Sequence, residues 1–272
     1  MSKIGKVIAF SALILTMVLA LTGCGGSNNT GGSSKTEARR FETTPLALME
    51  LINGGVDAVV ADSPVVLEFL KENPTANLDA FGDPEFEKEF YGMAMRQEDT
   101  ETHQLINDGL KALQDNGVYD KIFNKYFGDG SDYQVAESGN ALGLTFNVAQ
   151  DMAYAPFEYI NDDGKPEGFD VDLIRAIAAE MGFAVNLVNT NWDGIIPSLL
   201  SGNSDIIISA MTITEERSKS VTFSDPYFEA TQYIAVKKGA PIKKLADLEG
   251  KKIGVQNGTT GDFAVTEYFN LD

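Results

Sequence analysis

Four stretches of this chain carry residues that could grip a small charged molecule. Arg217 closes the run Thr212-Ile213-Thr214-Glu215-Glu216-Arg217. A guanidinium donates two parallel hydrogen bonds in one plane, which suits a carboxylate. The same run also reads as a capping box, with Thr212 and Glu215 starting a helix and Arg217 solvated in its first turn. Asn257-Gly258-Thr259-Thr260-Gly261 stands between a short apolar run and a helical stretch. Free N–H groups and the helix dipole favour an anion there, and a threonine at that place is equally an ordinary N-cap. Asp62 follows a strand-like run at residues 57–61 and precedes Ser63-Pro64. It either caps the helix that Pro64 begins or presents a carboxylate at the C-terminal edge of a strand, where open α/β sheets bind ligands. Asp151 ends the strand-like run that begins at Phe146.

Other chemistries find little support. His103 is the single histidine and lies between Thr102 and Gln104 on a polar helical stretch, where a solvent-facing role is expected. No metal-ligand spacing, cysteine nucleophile or hydrolase elbow is present, and no Lys follows the glycine-rich turn as it would in a phosphate-binding loop. No catalytic residue, metal or cofactor is expected. The formal net charge of −19 argues against a nucleic-acid partner.

The elements that must position these residues follow from periodicity. Runs at residues 146–149, 185–188 and 205–209 are short, apolar and bounded by Gly, Asn and Asp, whereas 169–181 and 195–200 carry helical spacing, so the segment reads as βαβαβ. A second set places strands at 58–61 and 252–255, a helix after Gly261, helices on both sides of 58–61, and helices at 101–116 and 119–126. At the N-terminus Lys3 and Lys6 precede an apolar run over 7–21 that ends in Leu21-Thr22-Gly23-Cys24. Small residues ending at the one cysteine predict a lipoprotein signal, cleaved before Cys24 and replaced by lipid, rather than a spanning helix. With one cysteine there is no internal disulfide, and the fold relies on its core. Residues 25–34 have the composition of a flexible tether, and 128–143 that of a second linker.

Ala155-Pro-Phe-Glu-Tyr, Gly168-Phe-Asp-Val-Asp-Leu, Thr212-Ile-Thr-Glu-Glu-Arg, Phe223-Ser-Asp-Pro-Tyr and Gly258-Thr-Thr-Gly occur in this order. With these motifs the chain resembles the extracellular solute-binding proteins of polar amino-acid ABC transporters, the group that includes glutamine- and lysine/arginine/ornithine-binding proteins. The resemblance covers nearly all of the chain after Cys24. Its halves are reversed: residues 145–269 resemble the opening half of the family and 41–128 the closing half, so the chain reads as circularly permuted.

The resemblance implies a two-lobed α/β fold of the periplasmic-binding-protein type II, each lobe a sheet flanked by helices. The expected organisation is a signal peptide at 1–23, a tether at 24–37, a second lobe from 38–90 with 239–272, a first lobe from 91–128 with 144–238, and a linker at 129–143 joining the former termini. Hinge strands are expected near 91–96 and 233–238. The resemblance also implies a ligand site. Arg217, Thr212 and the backbone N–H of Ala210 would bind a carboxylate, completed by Thr259 and Thr260, with Asp62 on the ammonium. Asp151 would read the side chain, Tyr154 and Trp192 would clamp it, and Ser209 would add a hydroxyl. Gln256 stands where some glutamine binders have Lys, which weakens a glutamine assignment. The expected function is capture of a polar or basic L-amino acid by lobe closure and delivery to an ABC permease, by a monomer anchored outside the cytoplasm through lipid on Cys24. The same fold also hosts sensing modules and dehydratases, and a rearranged remnant is a further alternative.

Overall fold

The computed structural model describes residues 35–271. The signal segment, Cys24, all of the tether before residue 35, and Asp272 lie outside the described residues. From the N-terminal side the chain forms β1 (Glu37–Phe41), α1 (Thr44–Asn53), β2 (Ala58–Asp62), α2 (Ser63–Glu72) and β3 (Leu78–Gly82), then crosses through β4 (Glu89–Tyr91). It continues as β5 (Ala94–Arg96), α3 (Thr100–Asp115), α4 (Val118–Phe127), β6 (Thr145–Gln150), β7 (Ala153–Tyr154), β8 (Glu158–Ile160), β9 (Pro166–Glu167) and α5 (Phe169–Met181). β10 (Ala184–Asn189), α6 (Trp192–Leu200), β11 (Ile206–Ile207), α7 (Glu215–Ser218) and β12 (Val221–Phe223) follow. It crosses back through β13 (Phe228–Ala230) and ends with β14 (Gln232–Lys237), β15 (Lys252–Gln256) and α8 (Thr260–Tyr268).

Two five-stranded sheets result, ordered β10-β6-β11-β5-β12 in the first lobe and β1-β15-β2-β14-β3 in the second. They share one plan: three neighbouring parallel strands, then a strand antiparallel to them, then a fifth antiparallel to that one. Parallel strands need helical crossovers and are buried on both faces, which is why β2 reads Ala-Val-Val-Ala-Asp and is buried throughout. Val148, Leu173, Ile174, Ile177, Ile206 and Phe169 pack the first lobe against α3 to α5, and Val60, Ile234, Ile253, Val255 and Val265 pack the second. Each such side chain contributes about 1.5–3 kcal/mol by leaving water.

The two crossings pair with each other, Phe228 opposite Tyr91 and Ala230 opposite Glu89, in a two-stranded antiparallel ribbon. That ribbon replaces the expected hinge. Residues 233–238 were expected to bridge the lobes, but Gln232–Lys237 is an interior strand of the second sheet, flanked by β2 and β3. An apolar run such as Gln-Tyr-Ile-Ala-Val-Lys marks a buried strand without saying on which side of a bend it falls. Ala94–Arg96 likewise lies inside the first sheet. The segment at 129–143 contains no helix or strand, yet it is laid along the first lobe. Leu142 donates to the Gly182 carbonyl at 2.8 Å, the Ser138 hydroxyl donates to the Phe183 carbonyl, and Tyr133 and Val135 pack on the core.

Two glycines set helix positions near the sheet edges. Gly168 has φ +136°, and a Cβ there would lie 2.1 Å from the Phe157 carbonyl oxygen, so the start of α5 requires glycine. A Cβ on Gly261 would lie 2.8 Å from Gln232 Oε1 and 3.1 Å from the Val60 oxygen, so α8 rests on β2 through a bare backbone.

Candidate functional site

Asp62 ends β2 and Gln256 ends β15, while Asp151 follows β6 and Ser209 follows β11. The C-terminal edges of both sheets therefore contribute to one place, the position where open α/β sheets bind ligands. A pocket there is lined by Asp62, Asp151, Tyr154, Trp192, Ser209, Ala210, Thr212, Arg217, Gln256, Thr259 and Thr260. All ten residues singled out in the sequence for this site line it, together with Gln256.

Arg217 sits in α7, whose N-cap is Thr214: its hydroxyl accepts from the Arg217 N–H at 3.1 Å. The capping box of Thr212 with Glu215 is therefore not formed, because the helix starts two residues later than that box requires. The half-buried guanidinium donates to the Thr212 carbonyl at 2.8 Å and the Gly258 carbonyl at 3.4 Å, and lies 5.1 Å from the centre of the Trp192 ring. Among the described residues no carboxylate stands within 4 Å of it. Burial pulls its pKa below the usual arginine value.

Asp62 makes no side-chain cap to α2. Its carboxylate, 4% exposed, accepts from the Tyr91 hydroxyl and from Gln232 Nε2, and the Tyr154 hydroxyl faces it. Burial first, then the charge of Glu89, pushes its pKa up to about 6. Asp151, 6% exposed, accepts from Gln256 Nε2 of the opposite lobe at 2.9 Å, and burial pushes it up to about 6 as well. Gln256 Oε1 is held in turn by the Thr44 N–H and hydroxyl at 3.1 and 3.0 Å.

Some sequence expectations meet a different geometry. The Ala210 N–H, expected at a carboxylate, donates to Asp170 Oδ2 at 2.8 Å, because a φ of +45° turns that amide inward. Thr259 caps α8, accepting from the Asp262 N–H at 3.3 Å, as the capping reading of that turn expected. The Trp192 ring lies against Arg217, and its Nε1 donates to the Gly258 carbonyl at 3.2 Å. His103 is half-buried rather than solvent-facing, with Nε2 3.0 Å from the Phe223 carbonyl oxygen. Among the described residues no group of three or more His, Cys, Asp or Glu is arranged to hold a metal ion.

Residues 146–268 match the sequence profile of the bacterial extracellular solute-binding proteins, family 3. This segment belongs to that family. Among curated proteins, a probable histidine-binding protein of Neisseria gonorrhoeae is 42% identical over 131 residues, 48% of this chain and 49% of the relative. An ABC transporter arginine-binding protein of Escherichia coli is 42% identical over 122 residues, 45% of this chain and 50% of the relative. The chain thus spans about half the length of the curated relatives it matches. Among solved structures, the arginine-, lysine-, histidine-binding protein of Geobacillus stearothermophilus is 44% identical, with 47% of this chain and 55% of that one covered and a TM-score of 0.43.

Sequence reasoning missed a layer beneath this pocket. Glu158 and Asp170, each fully buried, stand behind Ser209 and Ala210: Ser209 Oγ donates to Glu158 at 2.7 Å, and Asp170 also accepts from the Tyr227 hydroxyl at 2.7 Å. Burial and the neighbouring Asp170 hold the Glu158 carboxyl well above the usual range. Glu89, Tyr91 and Gln232 were missed too. Glu158 and Asp170 lie within the motifs quoted from the sequence, and that was the one available signal; the others contact Asp62 or Thr212 behind the pocket, through pairings remote in sequence.

Proposed function

We propose that the chain is the solute-binding component of an ABC importer and captures a basic L-amino acid between its two lobes. The observation that carries this reading is the arrangement of unpaired charges. Among the described residues Arg217 and Asp62 line one pocket without an ionic partner, and a second carboxylate, Asp151, lines the same pocket and accepts from Gln256 of the other lobe. An isolated buried charge costs several kcal/mol, so such a site is stable when a ligand supplies the complements. An α-carboxylate complements Arg217, an α-ammonium complements Asp62, and a cationic side chain complements Asp151. The names of the relatives, histidine- and arginine-binding, fit that charge pattern. Residues without catalytic chemistry between two hinged lobes support binding and closure rather than turnover.

Delivery to a permease and anchoring by lipid on Cys24 belong to the same reading. Their support is the Leu21-Thr22-Gly23-Cys24 run and the extracellular family of residues 146–268. In this reading the chain is a circular permutant. β15, α8 and β1 are arranged as a strand–helix–strand unit, with β1 parallel to and beside β15, but the chain does not run from α8 into β1. The two are instead the last and first described elements.

A thermal-shift screen against the twenty amino acids tests the ligand class. Arginine, lysine or histidine is expected to raise the melting temperature most. A flat response to all twenty contradicts the reading, and a largest shift from an acidic or aliphatic residue removes the role given to Asp151.

A further inference from the structure

We infer that Glu89 is a positioning residue that clasps the two lobes together whether or not the pocket is filled. The inference rests on the two-lobed closure described above, and it concerns a residue that does not line the pocket. Glu89 sits on β4, one of the two crossing strands, and is half-buried. Its Oε2 accepts from the Thr212 hydroxyl at 2.7 Å and from the Thr260 hydroxyl at 2.8 Å. Thr212 belongs to the first lobe, on the loop whose carbonyl holds Arg217, and Thr260 to the first turn of α8 in the second. One oxygen atom thus joins a donor from each lobe, and the two hydroxyls come within 3.5 Å of each other. The other oxygen accepts from Gln232 Nε2 at 3.0 Å, and the same amide group donates to Asp62.

This arrangement exists only while the lobes are close. Separating Thr212 from Thr260 removes at least one charge-assisted hydrogen bond from Glu89, and such bonds are about twice as strong as neutral ones. A carboxylate that accepts from both sides therefore favours the closed state by its own differential contacts, in addition to any ligand. It also fixes Thr212, and through the Thr212 carbonyl the Arg217 guanidinium, before a ligand arrives. Through Gln232 it does the same for Asp62. A ligand entering the site then finds both charge partners already oriented, which reduces the ordering cost of binding.

Small-angle scattering on ligand-free protein tests the clasp directly. Glu89→Ala should show a larger radius of gyration than wild type, with an unchanged far-ultraviolet circular dichroism spectrum. Saturation with L-arginine should bring both proteins to the same closed value, and stopped-flow should show dissociation of L-arginine accelerated by about tenfold with little change in association. Glu89→Leu keeps the bulk of the side chain but accepts no hydrogen bond, and should open the ligand-free protein as well; it replaces the alanine variant if that one does not fold. Ligand-free scattering curves identical to wild type in a folded variant overturn the clasp. Should wild type bind no amino acid, the ligand-free comparison still decides between the outcomes, because it uses no ligand.

Discussion

Arg217 and Asp62 are where the account is most exposed to test, since each is asked to balance a ligand charge inside the pocket. Arg217→Ala and Asp62→Ala are each expected to weaken binding of L-arginine by roughly 2–5 kcal/mol, the usual cost of truncating one side of a buried charge pair. The ligand-free variants should remain folded, because neither side chain caps its helix: Thr214 caps α7, and Asp62 makes no side-chain cap to α2. Calorimetry giving wild-type affinity for either variant would remove that residue from the site. Asp151→Asn is expected to reorder the preference among Arg, Lys and Gln, and an unchanged order would exclude it from reading the side chain. Asp62 and Asp151 also predict a pH dependence. Both are held at about 6 against 3.8 for a free aspartate, so between those values the folded ligand-free chain binds more protons than the unfolded one. The contribution of these two groups to the stability of the ligand-free protein should therefore fall as pH rises from about 4 to 6 and level off above. Binding has the opposite slope. A cationic ligand requires both carboxylates ionised, so affinity should drop as pH falls below 6, with protons released on binding near that pH. Titration calorimetry in two buffers of different ionisation enthalpy reads the released protons directly, and equal apparent enthalpies near pH 6 would contradict it.

At the scale of elements, the bare contact between α8 and β2 is the feature on which the second half of the pocket depends. Gly261→Ala puts a methyl against Gln232 Oε1 and the Val60 carbonyl, so α8 must move outward. A destabilisation of roughly 1–3 kcal/mol is expected from such overpacking, together with weaker ligand binding as Thr259 and Thr260 shift. Chemical denaturation and calorimetry measure the two effects, and an unchanged stability would mean that α8 does not rest on β2 this closely. The regular elements were legible because their signals are local. α5 occupies residues 169–181 as its apolar spacing predicted, and β6, β10, β15, α3 and α4 fall within two residues of expectation. The charged and aromatic residues facing the pocket were also legible, because each lies in a motif or at a strand end. Glu89 and Gln232 were not, since neither motif nor period marks them. Glu89 meets Thr212, 123 residues away, and Gln232, 143 residues away, and Gln232 meets Asp62, 170 residues away. The Ala210 amide was misjudged for a related reason: its direction depends on a single positive φ, and Ala is not a residue from which a left-handed conformation is read.

At the scale of the whole molecule, the pocket takes residues from two sheets whose strands are interleaved along the chain. Strands β1 to β3 and β14 to β15 meet in one sheet although residues 94–223 intervene, and among the described residues the chain passes between lobes through β4 and β13. Residues 129–143 are fastened to the first lobe by Leu142, Ser138 and Tyr133, and in the proposed permutation they are the joint between former ends. A flexible segment of that length spans about 21 Å, enough to cross one face of a lobe. The same contacts are available if residues 41–90 of one copy complete the second lobe of another, and at low concentration the intramolecular arrangement is favoured. Size exclusion with light scattering at micromolar concentration is expected to give a monomer, and a stable dimer that binds ligand would contradict the single-chain arrangement. The most direct test of the central claim is calorimetric titration of that monomer with L-arginine at pH 7.5. The account predicts saturable binding with one site per chain, lost in Arg217→Ala. Absence of binding by a folded monomer, or one site per two chains, would contradict it.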